Sequence, residues 1–137
     1  MDGEKAVIAV IKEIESLALP NFTGRVFKYE RKEKYTGEYI AVNHLPFVYN
    51  SVIPEGIVNV NVHVPKLKSN EPDTGRLYQL WQPIKSHFLE SEDDGHPDGQ
   101  YLAGAYFSFY SHSRPTLDND GTYYVNIQLK VIFNNLK

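Results

Sequence analysis

The sequence predicts an α+β fold: two layers, with a mostly antiparallel β-sheet and two helices on one face, in the order α-β-β-β-α-β-β. Three observations predict it. Val58-Asn59-Val60-Asn61-Val62-His63-Val64 alternates apolar and polar residues with period two, as a half-buried strand does. Two segments repeat apolar residues at helical spacing. The last third holds two longer alternating runs joined by turn residues. Strands in runs, with two helices to cover one face, make a two-layer sandwich.

The first helix spans residues 3–18. Val7, Val10, Ile11, Ile14 and Leu17 share one side, Lys12, Glu13 and Glu15 take the other, and Pro20 forbids continuation. Residues 24–29 and 38–43 read as two strands joined by the charged turn Glu30-Arg31-Lys32-Glu33-Lys34, as in a hairpin with a solvated tip. Residues 44–56 contain Pro46 and Pro54, which forbid a regular ladder, yet carry Leu45, Phe47, Val48, Tyr49, Val52 and Ile53. Such a loop either folds back over its own core or packs on a neighbouring subunit, which makes Phe47, Val48 and Tyr49 candidate interface residues.

In the alternating run, Val58, Val60, Val62 and Val64 share a buried face and Asn59, Asn61 and His63 a wet one. Asn70-Glu71-Pro72-Asp73 reads as a helix start, with Asn70 as cap and Pro72 in the first turn. That helix buries Leu77, Leu80, Trp81, Ile84 and Phe88, and Pro83 should kink it or cut it in two. The acidic segment 91–99 reads as a solvated turn. In the closing strands, Ala105, Phe107 and Phe109 alternate with Tyr106, Ser108, Tyr110 and His112. Val125, Ile127, Leu129, Val131 and Phe133 likewise alternate with Tyr124, Asn126, Gln128 and Lys130. Residues 114–121, ending in Asp-Gly, join the two as a hairpin.

The 137 residues fit a single domain, 1–137. With no cysteine, the chain has no disulfide, no thiolate metal ligand and no cysteine nucleophile. No run approaches the roughly 18 apolar residues of a membrane span, and the acidic start Met1-Asp2-Gly3-Glu4 is unlike a secretory signal, so the chain reads as cytosolic. A net charge of −3 argues against a dedicated nucleic-acid binder. Ten tyrosines suit either strands or an interface.

The residues offer little chemistry. The histidines (His44, His63, His87, His96, His112) form no pair at metal-ligand spacing along the chain. His63 and His112, both on outward strand faces by alternation, could meet across the sheet over a zinc or nickel ion; ordinary polar positions are the competing reading. Asp93, Asp94 and Asp98 are conceivable calcium ligands but lack EF-hand spacing. There is no G-x-S-x-G elbow, P-loop or G-x-G-x-x-G. The expectation is therefore a non-enzyme with no cofactor and no metal. One asymmetry stands out: Arg31 and Lys32 lie in a positive stretch, Asp93 and Asp94 in a negative one. In a head-to-tail ring these would meet across each interface.

Segment 38–46, then Val58 to Pro65, the helix from Asp73 to Phe88 and the two final strands resemble, over nearly the whole chain, small tail-completion or tail-terminator proteins of tailed bacteriophages and prophages. The resemblance rests on strand patterns and element order, not on a catalytic signature. It implies a structural part of the virion neck without enzymatic activity or cofactor. It implies a homo-oligomeric ring, a hexamer in that family, which caps the tail tube and joins it to the head connector. Partners would be other copies, tail-tube and head-connector proteins, and DNA only in passing, with no membrane. The location would be the host cytoplasm during assembly and then the virion. On this reading Tyr106 and Tyr110 serve contacts, and Arg114, at the hairpin tip, reaches the next ring. Two alternatives stay open: a small ligand- or metal-binding domain or enzyme, and a monomeric adaptor of a contractile or secretion machine.

Overall fold

A computed structural model describes residues 1–49, 54–89 and 99–133. Its elements are α1 (Gly3–Ser16), β1 (Arg25–Lys28), β2 (Tyr39–His44), β3 (Glu55–Pro65), α2 (Thr74–Leu89), β4 (Gln100–Leu102), β5 (Ala105–His112), β6 (Thr116–Leu117) and β7 (Thr122–Phe133). The strands form one mixed, mostly antiparallel sheet in the order β1-β2-β3-β7-β5-β4, with β6 also on β7. The α+β class and the main element order match the sequence-based expectation; β4 and β6 are short additions.

Both helices pack on one face. Ala6, Val7, Val10 and Ile14 of α1 and Leu77, Leu80, Ile84 and Phe88 of α2 join Ile40, Val42, the four valines of β3 and the apolar side of β7 in one buried cluster. Asp2 caps α1, accepting from the Lys5 backbone N–H at 2.8 Å. Val58, Val60, Val62 and Val64 are all buried on the helix side, as their alternation requires.

Four expectations need correction. First, β1 and β2 do not form a hairpin; they are parallel, with Arg25 opposite Tyr39 and Lys28 opposite Val42. Residues 29–38 return the chain to the start of β1. Tyr29, Lys34 and Gly37 take positive φ, and the Tyr35 ring sits edge-on to Phe27 and Tyr39 on the face opposite the helices. Burying those rings requires a crossover that a tight charged turn cannot make.

Second, α2 starts at Thr74, not near Asn70. Asn70 has φ +68, outside the extended region a cap occupies, and Asp73 accepts from the Arg76 N–H instead. Glu71, which precedes a proline, is also biased away from helix. Third, Pro83 does not cut α2 in two: the helix runs through it from Thr74 to Leu89. Only one backbone donor is lost there, while Leu80, Ile84 and Phe88 on its buried side are fully packed.

Fourth, His112 does not share a face with His63. A bulge at Tyr110 shifts the register, so Phe109 pairs with Leu129 but Ser111 pairs with Gln128 and His112 with Ile127. His112 therefore lands on the helix side, stacked on Trp81 with ring centroids 4.5 Å apart.

Candidate functional site

The register divides the helix-free face into three zones. At one end Tyr101, Tyr106, Ile132 and Glu55 stand in a cross-strand row, which the bridge from Glu55 extends to Val48. Ile57 lies in the next row, and Leu45 joins it by a backbone hydrogen bond to Ile57. The middle is an amide ladder. Asn59 donates to Asn43 at 2.9 Å, Asn126 to Asn61 at 2.7 Å, Gln128 to Asn59 at 3.2 Å, and Ser111 to Gln128 at 3.1 Å.

The third zone holds the densest polar chemistry. Tyr39, His63 and Tyr124 are direct neighbours on β2, β3 and β7. The His63 ring lies between the two tyrosines, 4.2 Å from Tyr39 at an interplanar angle of 10° and 5.0 Å from Tyr124. Beside it the tight turn Asp118-Asn119-Asp120-Gly121, closed by Gly121 at φ +83, leads into β7. Asp120 accepts from the Tyr39 hydroxyl at 2.6 Å, the Thr122 hydroxyl at 2.6 Å and the Thr122 N–H at 3.0 Å, and pairs with Arg31 Nε at 3.2 Å. Asp118 lies 3.7 Å from His63 Nδ1.

These contacts fix the protonation states. Burial pushes the Asp120 carboxyl up, but the hydrogen bonds from Thr122 and Tyr39 together outweigh it and hold its pKa below the ordinary value. Asp120 is thus an acceptor only, and the one proton of the Thr122 hydroxyl goes to it. Thr122 Oγ1, 2.9 Å from His63 Nδ1, must then accept, so the His63 proton sits on Nδ1. Burial pushes the His63 pKa down, against the pull of Asp120 and Asp118, which leaves the ring neutral. Nε2 then carries a lone pair and has no partner among the described residues. No described side-chain N or O is both buried and unsatisfied, so Nε2 opens to the adjoining hollow of about 220 Å³, lined also by Tyr29, Arg31 and Asn61. Burial first, and then Asp120, raise the Tyr39 hydroxyl well above its usual range, so it stays a donor.

Apart from Arg31, the interface residues expected from the sequence lie elsewhere. Phe47 folds onto its own core, stacked with Phe133 at 5.8 Å. Val48 and Tyr49 are exposed. Tyr106 is half-buried on the apolar end of the helix-free face, its ring 4.9 Å from Tyr101. Tyr110 stands out at the bulge, 60% exposed, and Arg114 and Lys32 are exposed. Arg31 is engaged within its own chain, on Asp120. Asp93, Asp94 and Asp98 lie outside the described residues. The structure thus gathers Val48 and Tyr106 into one row, places Arg31 at the opposite end of the face, and scatters the other described ones.

The sequence matches no protein-family model and no curated protein. Among the described residues, no helix is long and apolar enough to cross a membrane.

His63, an ordinary wet-face position by its alternation, is instead buried, 5% exposed. Asp118 and Asp120 fall within the joining turn 114–121, and nothing in the local pattern marks Tyr39 or Thr122 as part of a site. A signal for this site existed in the pairing: once β3 lies beside β7, His63 stands opposite Tyr124, two residues from Thr122 and four from Asp120.

Proposed function

We propose that this protein is a structural assembly part of the phage tail-terminator kind, without enzymatic activity, that works as a closed ring of identical copies. The observation that carries this reading is the helix-free face. Its far end presents Val48, Ile57, Ile132, Tyr106 and Tyr101, with neither described helix over them, next to the amide ladder. Apolar side chains rimmed by polar groups on a sheet suit protein contact. The element order, which resembles that of tail terminators, supplies the partner class: other copies, the tail tube and the head connector, in the host cytoplasm and then in the virion.

Native mass spectrometry and negative-stain imaging, with and without a candidate tail-tube protein, test the proposal. Closed rings alone or on the tube are expected. A strict monomer under both conditions sinks it and favours an adaptor.

A further inference from the structure

We propose that His63, Asp118 and Asp120 form a site for one divalent transition-metal ion of the zinc class, with Arg31 as the resident cation that the ion displaces. Each of the three residues offers a ligand atom, and these atoms lie within 4.8 Å of one another. An ion held at about 2.0–2.2 Å from each ligand needs them somewhat closer. Asp118 supplies the adjustment: it sits in an exposed turn with its side chain 37% exposed. The other two ligands are already fixed. His63, with only 7% of its side chain exposed, is clamped between Tyr39 and Tyr124. Asp120 is oriented by Tyr39 and Thr122, the kind of outer support that ligating carboxylates have.

Charge and donor type select the ion. Two carboxylates face one guanidinium and a neutral imidazole, so the cluster is net negative. A nitrogen donor with two carboxylates suits zinc, cobalt, nickel or manganese, whereas calcium and magnesium prefer oxygen alone. His63 Nδ1 is the ring nitrogen on the Asp118 side. To bind there the ion must exchange the tautomer, so that the proton leaves Nδ1 and Nε2, which faces the solvent hollow, takes one up. The Thr122 hydroxyl keeps its bond to Asp120 throughout. Arg31 holds Asp120 through a single contact at 3.2 Å, and its other bonds, to the Lys32 and Tyr35 carbonyls, are long, at 3.3 and 3.4 Å, so its 30% exposed side chain can give way to the ion. The bound ion would tie the 118–121 turn to β3. The inference is independent of the ring reading, and a metal-free ring or a metal-binding monomer would separate the two.

The test uses the full chain stripped with a chelator. Zinc is titrated by calorimetry, cobalt by its visible absorption, and histidine nitrogen shifts are followed by NMR. One equivalent should bind, and His63 alone should switch from the Nδ1–H to the Nε2–H tautomer. Asp118→Asn keeps the turn's backbone hydrogen bonds and an oxygen to accept from the Asn119 N–H, and should weaken binding roughly ten-fold or more. Arg31→Gln should tighten it, because the competing cation is gone. His44→Asn and His112→Asn should bind as the parent does. The proposal is overturned if Asp118→Asn binds zinc like the parent, if calcium binds as tightly as zinc, or if zinc moves the shifts of other histidines and leaves His63 unchanged.

Discussion

The Tyr39 hydroxyl donates to the Asp120 carboxylate at 2.6 Å, across 81 residues of sequence. The bond ties β2 to the turn before β7, two elements that are not adjacent in the sheet. Tyr39→Phe keeps the ring stacked on His63 and removes only the donor. A hydrogen bond to a charged group is worth about 1.5–3 kcal/mol, so the variant should lose about that much in urea denaturation. A loss near zero would mean that water replaces the hydroxyl without cost.

Acid should weaken this end of the molecule in two steps. His63 has a native pKa below its ordinary 6.5, so as pH falls below 6.5 the unfolded chain takes up a proton that the native ring refuses. Stability that is full above pH 6.5 is then lost down to the native pKa. Asp120, held below its ordinary 3.8, adds a second loss as pH falls below that value toward its own native pKa. Melting in chelator between pH 7.5 and 5 should show a steeper decline for the parent than for His63→Phe, which keeps the stack but cannot titrate. Parallel declines would remove His63 as the cause.

Much of the fold was legible because its signals are local. The apolar stripe of α1 and the four valines of β3 each report their own burial. The site was not legible for the opposite reason. His63 meets Thr122 across 59 residues, and nothing near His63 marks it as buried. The helix-side position of His112 was hidden by a single extra residue. Tyr110-Ser111-His112 alternates as well with a bulge as without one, since tyrosine and histidine suit either face. The parallel β1–β2 pair is not legible in the sequence, because a charged connection has the pattern of a hairpin tip unless the seat of Tyr35 on Phe27 is known.

Arg76 on α2 reaches Glu38 with two bonds, at 2.5 and 2.8 Å, and also donates to the Pro20 carbonyl at 2.7 Å. It thereby joins α2, the loop after α1 and the entry to β2, with both charged side chains less than one-fifth exposed. Arg76→Lys keeps the charge and loses the fork. A cost of about 1–3 kcal/mol is expected, between the values for surface and buried pairs. A double-mutant cycle with Glu38→Gln should show coupling of at least about 0.5 kcal/mol. Additive losses would assign the effect to the Pro20 contact instead.

The apolar end of the helix-free face separates folding from assembly. Phe47 is packed in the core, and a β-carbon added at Gly56 would come within 2.3 Å of its ring. Phe47→Ala should therefore cost the isolated chain about 2–4 kcal/mol, and Gly56→Ala should also destabilise it by unseating the ring. Val48 is half exposed, so Val48→Asp should leave monomer stability within about 0.5 kcal/mol, whereas Tyr106→Glu, at a half-buried ring in the same row packed on Tyr101, should cost the monomer more. The same two variants should abolish ring formation, because each buries an unpaired charge at the contact. If rings form unchanged in both variants, this end of the sheet is only a solvent-facing surface and the ring contact lies on another part of the molecule.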